Sequence, residues 1–266
     1  MPALLYIIAG TVVSNIIQLI VGCLLSIAVF TIVRGKISES KNTLKLNILM
    51  AALFSLCGIL LPLGIYGIIP LIAALLAVGF SCSAALSLLV SNVMFNMLVP
   101  FNDPSFIWKT GIRQVVFAFI AGFVAGLVAL IVINADSKVF RQRYMPKFNG
   151  DQSKRKMVFH FIDDNFKKLG LFLIAGVIAD TVFQRYVLSY IVNTFYTNSI
   201  TASIPAFFAR QDVSNPFFLL TFTIAYMLMN IVNLSALSAI LKFRGLAVYF
   251  GYYMLWAAIL AVPAFI

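Results

Sequence analysis

Charged residues are scarce in this chain: they make up 10% of its 266 residues, whereas 62% are hydrophobic. Soluble domains contain about 25% charged and about 45–50% apolar residues. So much apolar surface exceeds what one soluble core can bury, and a chain dissolved in lipid must satisfy its backbone hydrogen bonds within helices. The shortage of charge therefore excludes an ordinary soluble domain and predicts an all-α, polytopic membrane protein.

Residues for metal or catalytic chemistry are also few. Cys23, Cys57 and Cys82 lie in apolar stretches without metal or redox spacing, and His160 is the single histidine. Buried, inert thiols are the expected state of such cysteines. The sequence has no HExxH, no Gly-rich phosphate loop, no nucleophilic triad and no paired carboxylates. We therefore predict no metal, no cofactor and no enzymatic activity.

The basic residues are concentrated in two connections between apolar runs. Nine of the nineteen Lys and Arg residues lie between Lys138 and Lys168, and four lie between Arg34 and Lys45. Basic loops mark the cytoplasmic side of a membrane, and they attract anionic lipid headgroups. The formal charge of +11 is thus interpreted as a topology signal at the cytoplasmic membrane, with both termini outside, and not as a nucleic-acid surface.

Long apolar runs divide the chain into three parts. A first membrane repeat (1–133) precedes a basic cytoplasmic loop (134–168), and a second membrane repeat (169–266) follows. The loop ends in the segment Lys154–Lys168, which resembles an amphipathic helix on the inner leaflet. The first apolar run, Leu4–Val33, is about 30 residues long, and a signal-peptide core is only about 7–15. It is therefore expected to be a retained span.

The apolar stretch Leu46–Val99 is interrupted several times. Its breaks are Pro62, Gly64, Gly67, Pro70 and Gly79. The pieces between the breaks run about 13–18 residues, whereas a helix needs about 20 to cross a membrane. Interrupted or re-entrant helices fit better, and these are tolerated where they line a cavity or are buried in protein.

The two membrane halves share three short matches in the same order. Ile7–Gly10 matches Leu173–Gly176, Tyr66–Pro70 matches Thr201–Pro205, and Val90–Asn96 matches Ile224–Asn230. The cytoplasmic position of both basic loops would give the two halves opposite orientations. The sequence therefore predicts two inverted repeats, a design in which broken helices of secondary transporters meet near the membrane midplane.

Asp180 is the most informative polar residue. At about 1.5 Å per residue it lies about 18 Å beyond Lys168 along a helix, near the middle of a bilayer. A carboxylate there is costly unless it is protonated, paired or hydrated. Two interpretations stay open: Asp180 binds a coupling cation or proton, assisted by Gln18 and Gln184, or it caps or pairs with a neighbouring broken helix.

The breaks supply candidate residues for a substrate pathway. Prolines and glycines set helix ends facing each other, and these ends carry partial charges that can hold a polar solute or ion. A tight hairpin or a packing kink is the structural alternative, and buried amides can also serve only to join helices. The pathway candidates are Tyr66, Gly67, Pro70, Ser91, Asn92 and Asn96 in the first half, and Ser203, Pro205, Asn230 and Asn233 in the second.

Several of these residues belong to a familiar pattern. Leu61-Pro62-Leu63, Tyr66-Gly67 and Ile69-Pro70-Leu71, followed by Gly79, Ala84-Ala85, Ser91 and Asn96, resemble the first-half signature of the predicted permeases, a family that includes organoarsenical efflux permeases. Asn233-Leu234-Ser235-Ala236-Leu237 and Lys242 echo its second-half pattern. The resemblance implies a multi-pass permease that moves a small solute across the cytoplasmic membrane.

The chain departs from that pattern where many members carry cysteine, since Gly64-Ile65 follow its Leu-Pro-Leu. Thiolates are the soft ligands that trivalent arsenicals need, so an arsenical substrate is not expected. The sequence predicts a small-solute exporter, driven by a proton or cation gradient, in contact with anionic lipids. A lipid-handling flippase and a degenerate, non-transporting membrane subunit are the alternatives, and the sequence leaves a homo-oligomer open.

Overall fold

The structure is a computed structural model that describes residues 2–33, 44–94, 112–132, 154–183 and 231–265. All regular elements in these ranges are α-helices, which confirms the all-α class for this part of the chain. The helices are α1 (Pro2–Val33), α2 (Leu44–Leu60), α3 (Ile65–Ala77), α4 (Cys82–Met94), α5 (Ile112–Val132), α6 (Lys154–Phe183), α7 (Ile231–Ile240) and α8 (Phe243–Phe265).

The interruption between α2 and α3 follows from the chemistry of Pro62. A proline has no backbone N–H, so the carbonyl of Gly58 loses the donor that lies four residues further along a helix. The last regular bond of this segment runs from the Leu61 N–H to the Cys57 carbonyl at 3.0 Å. Gly64 then adopts extended backbone as the N-cap of α3, without a side-chain cap.

The turn between α3 and α4 is specified by its own sequence. Gly79 has a φ of 99°, a left-handed conformation that favours glycine. Its N–H bonds to the Leu76 carbonyl at 3.1 Å, and the Phe80 N–H bonds to the Leu75 carbonyl at 3.0 Å, which together form a Schellman motif. The Ser81 hydroxyl then accepts from the Ala84 N–H at 3.3 Å and so caps the N-terminus of α4.

The two helices joined by this turn are short and buried. Each has 13 residues, or about 20 Å at about 1.5 Å per residue, which is less than a bilayer core of about 30 Å. Every residue of Ile65–Leu75 is buried, as is almost all of α4. The structure thus contains short, protein-buried helices at the place where the sequence predicts interrupted ones.

The helices pack in three connected groups. One group consists of α2, α4 and α5; α1 packs along α3; and α6 packs along α7. The first half meets the second half where α1 contacts α6 and where α3 contacts α7. This arrangement brings the first turn of α3 to the seam between α6 and α7.

The segment Lys154–Lys168 forms the first half of α6. Lys154–Phe183 is one continuous helix, so the segment shares its axis with the apolar part that follows. A buried stripe of Phe161, Asn165 and Leu169 recurs every four residues, the spacing of one helix face. The proposed domain boundary at residue 168 therefore falls inside a helix.

Candidate functional site

Tyr66 joins the two halves of the molecule. It lies in the first turn of α3 and its side chain is fully buried. A Cβ atom added to Gly176 of α6 would lie 2.7 Å from the Cβ of Ser235 and 3.5 Å from the Tyr66 hydroxyl. Glycine at 176 thus leaves a notch in α6 that Ser235 and the tyrosine hydroxyl approach. Within the described ranges, the Tyr66 hydroxyl forms no hydrogen bond of ordinary geometry.

Ser235 is held in place at this notch. Its hydroxyl donates to the carbonyl of Phe172 at 2.5 Å, and its own carbonyl accepts from the Ser238 hydroxyl at 2.7 Å. The first bond crosses from α7 to α6, and so it fixes the spacing of the two helices. The serine therefore stabilises the surface that Tyr66 meets.

Asp180 caps α7. Its Oδ1 atom accepts from the backbone N–H of Ile231, the first residue of α7, at 3.2 Å. A carboxylate at a helix N-terminus satisfies a free N–H and interacts favourably with the helix dipole. The side chain is 9% exposed. This contact is the capping arrangement, one of the two interpretations of Asp180 that the sequence left open; the other is cation or proton coupling.

The Asp180 cap and the Tyr66 notch lie on one seam. Asp180 follows Gly176 by one turn of α6, and Ile231 precedes Ser235 by one turn of α7. The pairing of 176 with 235 and of 180 with 231 makes the two helices antiparallel. One helical turn is about 5.4 Å, so the capping contact and the tyrosine hydroxyl are separated along the seam by about that distance.

Gln18 lies at the break itself. Its Oε1 atom would be 2.0 Å from a Cβ added to Gly64, the N-cap residue of α3, and this buried oxygen has no hydrogen-bond donor in the part of the chain that the structure describes. One turn further along α1, a Cβ added to Gly22 would lie 2.0 Å from the carbonyl oxygen of Gly67. The two backbones touch at these glycines, and the contact sets the glutamine amide against the start of α3.

Asn92 supplies hydrogen-bond donors to carbonyls at the interruption between α2 and α3. Its Nδ2 donates to the carbonyls of Gly58 at 3.0 Å and Leu61 at 3.2 Å. Gly58 is the residue whose helical donor is missing because position 62 is proline. In the structure Asn92 therefore joins helices, which is the structural alternative for the buried amides. The neighbouring Ser91 hydroxyl bonds within α4, to the Ser87 carbonyl at 2.8 Å.

Two polar contacts of the first half were not singled out from the sequence. The Ser55 hydroxyl donates to the Phe119 carbonyl, and the Ser83 hydroxyl donates to the Gly126 carbonyl, each at 2.8 Å. These bonds attach α2 and α4 to α5. Their sequence signal is the spacing of Ser83, Ser87 and Ser91, which puts three hydroxyls on one face of a helix.

The remaining predicted residues fall into two sets. Pro70 is buried inside α3, and Asn233 is partly buried in the first turn of α7. Asn96, Gln184, Ser203, Pro205 and Asn230 lie outside the described residues, as does the whole second-half counterpart of the break. Cys23 and Cys82 are buried as expected, but Cys57 is on an exposed face of α2, so the expectation of burial was wrong for that thiol.

The junction between the two halves, formed around Gln18, Tyr66 and Asp180, offers a carboxylate, a phenol hydroxyl, an amide oxygen and two helix N-termini. These groups support hydrogen bonding and charge stabilisation. Within the described ranges, no three His, Cys, Asp or Glu side chains lie close enough to hold a metal ion. The chain matches no protein-family model, no curated protein and no solved structure.

Proposed function

We propose that the protein is a multi-pass membrane permease, a secondary transporter that exports a small solute across the cytoplasmic membrane. The observation that carries this proposal is the interruption at Leu61–Gly64, where a short, buried helix begins inside the protein and presents Tyr66 to the other half. Short helices that end inside a membrane protein are a recurrent way to build a solute site. The two halves act as inverted repeats that rock about this junction.

Two features support placement in a membrane. Residues Ile8–Val33 of α1 form the one helix in the described ranges that is by itself long and apolar enough to cross a bilayer. The outward faces of other helices are also apolar: Ile131 is 77% exposed, Leu171 is 76% exposed and Phe243 is 86% exposed. Apolar patches of this kind are unfavourable in water, and hydrocarbon around the helices removes that cost.

The N-terminus of α3 is the part of the junction suited to a polar solute. Gly64 provides no side-chain cap, and the first-turn N–H groups of a helix carry partial positive charge. The Gln18 amide oxygen beside Gly64 lacks a hydrogen-bond donor among the described residues. A solute that accepts from the helix and donates to Gln18 would satisfy both groups.

Asp180 couples solute movement to a gradient in this proposal. As a carboxylate it accepts from the Ile231 N–H, and a proton or cation that binds to it changes the charge at the N-terminus of α7. This change of charge shifts α7 and Tyr66 together, because they share the seam. The capping contact seen here and the coupling role are thus two states of one side chain.

The test compares two substitutions of Asp180 in purified protein reconstituted into vesicles. Thermal stabilisation by a panel of solutes identifies the solute to use, since a ligand of the folded state raises the melting temperature. Asparagine is as good an N-cap as aspartate but does not ionise. We therefore expect Asp180→Asn to keep the melting temperature and to lose gradient-driven transport by tenfold or more.

Asp163→Asn is the matched control, because Asp163 lies on the same helix and is exposed, where it pairs with Lys167 at 2.5 Å. Its transport should equal that of the wild type. Undiminished transport by Asp180→Asn would leave Asp180 as a cap only. Stabilisation by phospholipid alone would favour the lipid-handling alternative, and a partner that co-purifies with an inactive chain would favour the subunit.

A further inference from the structure

A cavity lies away from the site around Tyr66 and Asp180. It has a volume of about 60 Å³ and lies between α4, α5 and α8. Its walls come from Leu86 and Val90 of α4, Ala125 and Ala129 of α5, and Gly245 and Tyr249 of α8. None of these residues belongs to the site around Tyr66 and Asp180.

The cavity exists because aromatic side chains hold α8 away from α4 and α5. Tyr252 of α8 donates its hydroxyl to the Ala121 carbonyl, and Trp256 packs edge-on against Phe117 with ring centroids 5.2 Å apart. The backbone of α8 makes little contact with that of α4 or α5. The small residues of α5 beyond these aromatic contacts, such as Ala129, are too short to fill the gap.

The chemistry of the walls selects an apolar occupant. The lining side chains are aliphatic apart from two tyrosines. The Tyr252 hydroxyl is bonded to a carbonyl, and the Tyr249 hydroxyl has almost no accessible surface, so it does not face the cavity. Apolar cavities exclude water, and a site without accessible polar groups cannot orient a polar solute. The volume is also far below the range of about 300–1,000 Å³ typical of small-molecule pockets. A few methylene groups match both the chemistry and the size.

The cavity opens toward the outer apolar face. Val128 and Val248 line it, and they are 37% and 49% exposed. The surface on either side continues with exposed Ile131 of α5 and Leu255 of α8. A hydrocarbon chain that lies along this surface can therefore continue between Val128 and Val248 into the cavity.

We propose that the cavity holds a segment of one acyl chain of a membrane phospholipid, retained between α8 and the α4–α5 pair. The headgroup stays outside, because the walls offer it no polar partner. The lipid is a resident structural ligand that fills the space between a second-half helix and two first-half helices. This proposal shares the membrane setting of the proposed function and does not depend on transport.

The test is native mass spectrometry of protein purified in a mild detergent, with dioleoyl phosphatidylglycerol or dioleoyl phosphatidylcholine added in turn. Ala129→Phe places a ring in the cavity. Ala175→Phe adds the same ring on the outward face of α6, where Ala175 is exposed, and is the matched control. We expect one retained phospholipid in the wild type and the control, with occupancy at least fivefold lower in Ala129→Phe.

Acyl-chain recognition also requires similar occupancy with the two headgroups. Equal occupancy in Ala129→Phe and Ala175→Phe, no retained lipid in the wild type, or strong dependence on the headgroup would each overturn the proposal. A wild-type dimer that Ala129→Phe separates would assign the cavity to a second copy of the chain. If Ala129→Phe does not fold, Ala129→Leu replaces it, with an intermediate loss of occupancy expected. Transport is not measured, so failure of the permease proposal leaves this result intact.

Discussion

Substituting Asn92 by leucine tests how the interruption after α2 is stabilised. Leucine is close to asparagine in size, so the change mainly removes the two Nδ2 hydrogen bonds to the Gly58 and Leu61 carbonyls. Gly58 is buried, and Pro62 offers no replacement donor. A buried polar group left without a partner costs about 1–3 kcal/mol, while hydrogen bonds between membrane helices are worth about 0.6 and at most about 1.7 kcal/mol each.

Two such bonds give an expected loss of about 2 kcal/mol in the free energy of unfolding, within the range set by these values. The assay is equilibrium unfolding in mixed micelles followed by circular dichroism. Ser91→Ala is the control, because the Ser91 hydroxyl bonds within its own helix, to the Ser87 carbonyl at 2.8 Å. Its effect should be smaller than that of Asn92→Leu, because the Ser87 carbonyl also accepts a backbone N–H within α4.

A double-mutant cycle isolates the role of the proline. Pro62→Ala restores a backbone N–H that can bond to the Gly58 carbonyl, so Asn92→Leu should cost about 1 kcal/mol less in that background, a coupling typical of residues in one hydrogen-bond network. Strictly additive effects would refute the reasoning, because they would mean that Asn92 does not replace the donor missing at Pro62. A loss below about 0.5 kcal/mol for Asn92→Leu alone would refute it as well, given the lower limit for buried unpaired carbonyls.

Three further predictions concern α1 and α6. Gly22→Ala should destabilise the protein, measured as a lower melting temperature, because its Cβ would meet the Gly67 carbonyl oxygen at 2.0 Å and the two helices would have to separate. Asp180→Ala should lower the free energy of unfolding by about 1 kcal/mol through loss of an N-cap, whereas Asp180→Asn should not. The hydrogen bond from Lys167 to Asp163 raises the pKa of Lys167. The stability that this ion pair contributes is therefore present below the ordinary pKa of lysine and is lost as pH rises through the raised value. Asp163→Asn should bring the pKa of Lys167 back down in an NMR titration.

For each of these three predictions, one result would contradict the reasoning. An unchanged melting temperature for Gly22→Ala would mean that α1 and α3 do not touch at this glycine. Equal destabilisation by both Asp180 substitutions would show that the carboxylate does more than cap α7. An unchanged Lys167 pKa in Asp163→Asn would remove the i,i+4 pair as its cause.

Local features of the fold were predictable from the sequence because they depend on neighbouring residues. The first long apolar run predicted a helix at the position of α1, and Pro62 predicted the interruption because it removes one N–H wherever it stands. The change from basic to apolar composition near Lys168 predicted a domain boundary, but the helix is continuous there. Helical backbone hydrogen bonds continue through a change in side-chain polarity, so α6 remains one helix.

The candidate site depended on contacts that the sequence could not specify. Composition alone marked Asp180 as costly inside an apolar span, but one of its partners is the N–H of Ile231, 51 residues away. Asn92 was a candidate amide, and its role follows from carbonyls 31 and 34 residues earlier. Such pairs form when packing brings separate helices together, and periodicity within one helix carries no information about its neighbour.

The sequence by itself therefore determined the apolar, helical character of the chain and the position of its first break, since both follow from side-chain transfer energies and from proline chemistry. Only the tertiary structure decided that Tyr66 reaches the notch at Gly176. It also decided that α8 stands away from α4 and α5 and leaves a cavity. These outcomes depend on the distance between helix axes, which is set by the small and aromatic residues of several helices packed at once.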